Sequence, residues 1–196
     1  DGGLAGLSEL KNLVDLNITV PDGSAMTLTG MGALTRLTSL RKLELSGFNR
    51  GEGQIDLSPF TQLEMLRLGA VDGMRDGDLA GLTGMSSLRT LGIAGGSDES
   101  LAPIAGLKAL EQVSISSEAL TDNGLRHLSN LQALAVLSID GDFTEAGLSY
   151  LAPLQNLKWL TIHSATPLDD RFVAQLARSM PNLQSFNQQR AFGGAG

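Results

Sequence analysis

The sequence predicts an α/β solenoid of about eight stacked turns, each 22–27 residues long. Parallel strands line a concave face, and short helical or 3-10 segments return the chain along the convex face. Three observations carry this. Apolar anchors recur at Leu16, Leu43, Leu66, Leu91, Val113, Leu137, Leu160 and Phe186, at intervals of 27, 23, 25, 22, 24, 23 and 26 residues. Every anchor but the last has an apolar residue two places on: Ile18, Leu45, Leu68, Ile93, Ile115, Ile139 and Ile162. Each anchor is also preceded at three by Leu13, Leu40, Leu63, Leu88, Leu110, Leu134, Leu157 and Leu183. Another apolar residue stands six before, from Leu10, Leu37, Phe60 and Met85 through Leu107, Leu131 and Leu154 to Met180.

The step of two is strand period, so both apolar residues of each pair face one side. The upstream steps of three suit a short helical or 3-10 segment returning outside the strand. Asp122, Thr144 and Asp169 stand where N-caps would offer a side-chain oxygen to free amides. Pro103 fits a first helical turn, where its missing N–H matters least. Each turn directs about six apolar side chains inward. At roughly 1.5–3 kcal/mol per buried side chain, one turn cannot offset the ordering of its own backbone. Neighbouring turns must close the core from both sides.

Two places break the period. Ser46 to Asp56, "SGFNRGEGQID", is polar and glycine-rich and reads as an irregular outer loop. It is either a contact loop or a tolerated insertion, and surface tolerance favours the latter. The array spans 1–186, and 187–196, "NQQRAFGGAG", has lost the pattern and reads as a frayed tail or linker.

The L-x-x-L-x-L core with a period in the twenties resembles the leucine-rich repeat family over nearly the whole chain. Several turns add an apolar residue five before the first spaced leucine: Met26, Met74, Leu120, Phe143 and Leu168. Thr121-Asp122-Asn123-Gly124-Leu125 resembles the T-D-x-G-L variant of bacterial repeats and of F-box-associated repeats, and "FTEAGL" and "MRDGDL" are looser copies. The family's usual asparagine is replaced by Pro21, Phe48, Val71, Gly96, Glu118, Asp142 and Ala165. An internal asparagine ladder is therefore not expected, and the turns between strands need other closures. The resemblance implies a non-catalytic protein-recognition module. It also permits a substrate-recognition arm of a bacterial effector or ubiquitin-ligase-type protein, secreted or translocated into a host cell. An adhesive extracellular array is a third reading, lowered by the lack of cysteine-bearing caps.

Composition bounds the chemistry. The net charge of −7 lacks the basic footprint that nucleic acid requires. No apolar run reaches the roughly 20 residues of a membrane span. The absence of cysteine removes disulfides, thiolate metal sites and thiol nucleophiles. The chain starts on Asp1 inside an ongoing pattern and reads as a trimmed piece, so missing targeting signals carry no weight. His127 and His163 lie in different turns, His127 in a solvated outer segment, and form no metal pair by helix spacing. "GMGALT" and "GEGQID" lack the final glycine of a dinucleotide fingerprint, and no G-x-S-x-G elbow occurs. The Asn17-Ile18-Thr19 glycosylation triplet lies in a strand and is discounted. Neither a cofactor nor a metal is called for; the expected partner is a protein.

Alternation places the residues beside the leucines on the concave surface in three columns. Lys42, Glu44 and Arg67, with Asp15 and Met65, make a charged N-terminal end. Thr90, Gly92, Ala94, Ser114 and Ser116 make a small middle. Val136, Asp140, Trp159 and His163 make an aromatic and ionisable C-terminal patch. Trp159, the only tryptophan, has the composition of an interface hot spot. Its alternative is simple packing along its neighbours. The binding residues expected are therefore Trp159, His163, Asp140 and Val136, with Arg67, Met65, Glu44 and Lys42 as the second group.

Overall fold

A computed structural model describes residues 4, 6–21, 27–52, 55–69, 71, 74–164 and 166–189. They form one parallel sheet whose eight strands lie in sequence order. The strands are β1 (Asp15–Thr19), β2 (Lys42–Ser46), β3 (Met65–Gly69), β4 (Thr90–Ala94), β5 (Gln112–Ser116), β6 (Val136–Asp140), β7 (Trp159–His163) and β8 (Ser185–Gln189). Anchor pairs with anchor throughout, Leu16 with Leu43 and so on to Leu160 with Phe186. The final strand runs to Gln189, three residues past the point where the leucine pattern stops. Residues 190–196 lie outside the described residues, as does Met26.

The steps of three are hydrogen bonds. Leu128 donates its N–H to the Leu125 carbonyl, Leu131 to Leu128 and Leu134 to Leu131, at 2.9–3.0 Å. The same pattern joins Leu37 to Leu34, Phe60 to Leu57, Met85 to Leu82, Leu107 to Ile104 and Leu154 to Leu151. A 3-10 turn eclipses side chains three apart, so each bond stacks one apolar side chain on the next. The returning segments are accordingly mostly 3-10: η1 (Gly6–Glu9), η2 (Leu28–Arg36), η3 (Asp76–Gly84), η4 (Glu99–Gly106) and η5 (Ser149–Leu151). Short helices α1 (Asp122–Leu125) and α2 (Glu145–Leu148) and the longer α3 (Asp170–Ser179) complete them. Most of the spaced leucines and strand pairs merge into one buried cluster, but Leu10 of the first turn is exposed. Phe186, at the last anchor, is only half-buried.

Strand starts are tied by a shared acceptor. The Val14 carbonyl accepts from both Arg41 and Lys42, at 2.8 and 3.0 Å. Arg41, Glu64, Arg89, Glu111, Ala135 and Lys158 repeat this role for the following turn. Register is thus fixed before the first strand residue is placed.

A second ladder explains the T-D-x-G-L residues. Asp98 accepts from the Thr121 amide at 2.8 Å and its hydroxyl at 2.6 Å. Asp122 does the same for Thr144, at 2.8 and 2.5 Å. Asp76 accepts from the Ser97 hydroxyl, and Glu145 from the Asp169 amide. Asp122 therefore does not cap its own helix. Thr121 does, accepting from the Asn123 amide at 3.3 Å. The carboxylate is drawn instead to the next turn, where two donors wait rather than one. Thr144 occupies an N-cap position, but its hydroxyl is committed to Asp122. Asp169 caps α3 as expected, through the Arg171 amide at 2.6 Å. Pro103 lies inside η4, not in its first turn; a 3-10 run there forgoes one bond.

Where asparagine would stand, several substitutes act. Phe48 and Val71 are buried in the core. The Gly96 carbonyl accepts from the Ser117 hydroxyl at 2.5 Å, and the Asp142 amide donates to the Leu120 carbonyl at 2.8 Å. Ala165 lies outside the described residues.

The described residues of Ser46 to Asp56 do not form a loose outer loop. Phe48, Ile55 and Leu57 are buried, and Asn49 bridges to Thr27. Arg50 is 6% exposed and grips Asp78, itself 2% exposed, through two bonds of 2.6 Å. Arg50 also donates to the Gly51 carbonyl, and the Arg75 amide donates to Asp78. Polar letters hid a buried, fully bonded clamp between the second and third turns. Burial pulls the Asp78 carboxyl up, but the Arg50 bonds, the Arg75 amide and the adjacent positive charge outweigh it, and its pKa lies below the ordinary carboxylate value.

Two expectations follow from these contacts. A Cβ at Gly124 would meet the Asp98 carboxylate at 2.6 Å. Gly124→Ala, which in an open helix stabilises, should here destabilise by about 1–3 kcal/mol, because something must shift. In an Asp98→Ala background that penalty should shrink, which a double-mutant cycle of urea midpoints reads directly. Asp78→Ala should cost about 3–5 kcal/mol, since it strands a buried guanidinium. With its folded pKa depressed, Asp78 contributes stability above the unfolded carboxylate pKa, about 3.9, and loses it as pH falls through the lower folded value. Replacing the pair by Arg50→Met with Asp78→Leu should flatten the part of the acid-side stability slope that comes from this carboxylate.

Candidate partner-binding face

Leucines, isoleucines and Val113 of the strands point into the core, so the intervening residues, Val136 among them, occupy the open face of the sheet. The register fixes three continuous columns there. The first runs Asp15, Lys42, Met65, Thr90, Gln112, Val136, Trp159 and Ser185. Asn17, Glu44, Arg67, Gly92, Ser114, Ser138, Thr161 and Asn187 make the second. Ala94, Ser116, Asp140, His163 and Gln189 form the far part of the third.

The N-terminal group comes together. Lys42 pairs with Met65 and Glu44 with Arg67 across β2 and β3. Arg67 lies 3.7 Å from Glu44, and Lys42 lies 3.7 Å from Asp15. All four charged side chains are substantially exposed, so these pairs hold orientation more than stability. A partner's charge can replace either member at small cost.

The C-terminal group is adjacent but not compact. Val136 stands beside Trp159, and Asp140 beside His163, on β6 and β7. The two pairs sit at opposite ends of the strands, about 13 Å apart at the rise of an extended chain. Asp140 accepts from the Ser116 hydroxyl at 3.1 Å, and His163 Nε2 lies 3.2 Å from Gln189 Oε1. Each therefore turns to a different neighbour, and no Asp–His relay forms. Trp159 remains 44% exposed, so its indole is not consumed by packing along the sheet.

Sequence reasoning marked the small middle of the face but not what it opens. Gly69, Gly92, Ala94, Ser114 and Ser116, with Glu44 and Arg67, line a depression of about 310 Å³. A second, of about 500 Å³, lies past the strand ends. Val71, Met74, Asp76 and Glu118 line it around the Gly95-Gly96 turn. Both glycines have positive φ, 99° and 91°, which explains the double glycine in this turn. That pair was the signal available in the sequence.

His127 sits half-buried in the outer segment, away from this face. Desolvation, helped by Arg126, holds its pKa below the usual imidazole value against the pull of Asp98 and Glu99. Among the described residues no group of three or more histidines and carboxylates is placed to hold a metal ion. No described helix is long and apolar enough to cross a membrane.

No family model matches the chain, and comparison with curated proteins finds no relative. Solved structures do match. An internalin from Listeria monocytogenes superposes with a TM-score of 0.64 at 21% identity, over 95% of this chain and 51% of that one. A leucine-rich repeat protein of Leptospira interrogans gives a TM-score of 0.66 at 18% identity, over 93% of this chain and 45% of that one. The chain thus spans about half the length of these neighbours. With one parallel sheet, returning 3-10 segments and these likenesses, the chain has the leucine-rich repeat fold.

Proposed function

We propose that this chain is a non-catalytic recognition module that binds a partner protein through the concave face of its sheet. The observation that carries the reading is Trp159, the one large aromatic side chain exposed on the described part of this face. An exposed indole beside Val136 offers apolar area that a partner can desolvate, and Asp140 and His163 offer polar rim contacts. Met65, Lys42, Glu44 and Arg67 supply a second contact group three to five strands away. Absent cysteine and the separate pairing of Asp140 and His163 give no support to nucleophilic chemistry on this face.

A second reading rests on length. The neighbours of known structure are about twice as long as this chain. The array is then the substrate-recognition arm of a larger bacterial effector or ubiquitin-ligase-type protein, secreted or translocated, whose catalytic groups lie outside residues 1–196. Both readings give the sheet face the same task.

Affinity capture with the whole chain as bait, followed by titration of the captured protein, tests the patch. Trp159→Ala should weaken that complex by about 2 kcal/mol or more, near thirtyfold, with circular dichroism unchanged. Quenching of the single tryptophan's fluorescence by acrylamide should also fall when the partner is bound. An affinity indifferent to Trp159→Ala would remove the patch from the interface.

A further inference from the structure

We infer that the two depressions meeting at Ala94 form one groove for an extended, positively charged peptide segment of the partner. This rests on the recognition reading above and names the chemistry it would accept. Ala94 lines both depressions, so the floor passes without a large side chain from the sheet face to the Gly95-Gly96 turn. From Glu44 on β2 to the level of β5 is three strand spacings, about 14 Å, or roughly four residues of extended chain. An extended backbone fits such a floor, where a helix about 10 Å wide would stand off it.

Charge selects the occupant. Glu44, Asp76 and Glu118 line the groove against one cation, Arg67, among the described residues. Arg67 is already answered by Glu44 at 3.7 Å. Among the described residues, Asp76 accepts from the Ser97 hydroxyl alone, and Glu118 forms no hydrogen bond or ion pair. Lysine or arginine side chains entering over Met74 and Val71 would lay their methylene stems on apolar surface and their charges against these carboxylates. The net charge of −7 steers a basic segment toward this face and an acidic one away.

The test is selection of a displayed random hexapeptide library on the whole chain, followed by fluorescence anisotropy of the enriched peptides. Enriched sequences should carry lysine or arginine, and their charge-reversed counterparts should bind at least about tenfold more weakly. Ala94→Arg, which blocks the junction, should abolish binding. Glu118→Lys, at an exposed turn position that leaves the fold intact, should weaken it at least about fivefold. Tyr150→Ala, in the outer segment, serves as the control without effect. Acidic enriched peptides, or affinities unmoved by both groove variants, would overturn the groove, as would failure to enrich any peptide. If Trp159→Ala abolishes binding of the captured protein while the groove variants leave it intact, the groove falls and the concave-face reading stands.

Discussion

The structure depends on one bond repeated along the chain, from the amide of one spaced leucine to the carbonyl of the leucine three residues before it. That bond does two things at once. It satisfies the backbone of a segment too short to be a stable α-helix, and it stacks the apolar side chains on one side. Because the spacing of donors equals the spacing of leucines, backbone and core cannot be satisfied separately. When the step shortens to two at the strand, the same side stays buried while the intervening residues are released to the open face. The open face of the sheet is created by that change of step.

Neighbouring turns are then joined by polar contacts whose form varies. At the strand starts, one carbonyl accepts two amides of the following turn, a feature that needs no particular side chain. Beyond the strands, side chains decide. Between the third and sixth turns a carboxylate reaches the Ser or Thr of the next, as Asp98 reaches Thr121. Between the second and third, that place is taken by the buried Arg50–Asp78 pair. A neutral bond would need no compensation, but a buried charge must be fully answered, and here the guanidinium, an amide and a carbonyl all take part. The clamp spans the polar, glycine-rich interruption of the pattern between Ser46 and Asp56.

The leucine positions, the strand register and the three surface columns were all legible in the sequence, because alternation and a fixed period leave no freedom. The partners of Asp122 and Arg50 were not. Asp122 stands where an N-cap would, and only the position of Thr144, a turn away, shows why it points elsewhere. Arg50 lies among glycines and polar residues that read as solvated loop, and its acceptor is 28 residues on. Glycine carried similar ambiguity. Gly124 reads as a helix weakness until the Asp98 oxygen is seen to occupy the space of its Cβ. Of the site, the identity of each exposed residue was legible, but not the relief of the surface. The Val136–Asp140–Trp159–His163 patch is one group by sequence and two pairs in space.

This separation bears on how the face can discriminate. The leucine core places few demands on the side chains in the open columns beyond compatibility with a paired strand. Where they are small, as at Gly92 and Ala94, the sheet itself becomes approachable; where one is large, as at Trp159, it projects. A recess in the middle of the sheet and a projecting indole toward its C-terminal end are complementary kinds of contact, one receiving and one inserting. They lie three strands apart on one sheet, so under the proposed reading a partner would match the spacing as well as the chemistry. Loose surface pairs such as Arg67–Glu44 contribute little to stability and much to orientation, because they can exchange partners without disturbing the core. The rigidity comes from the leucines, and the selectivity from residues the leucines leave alone.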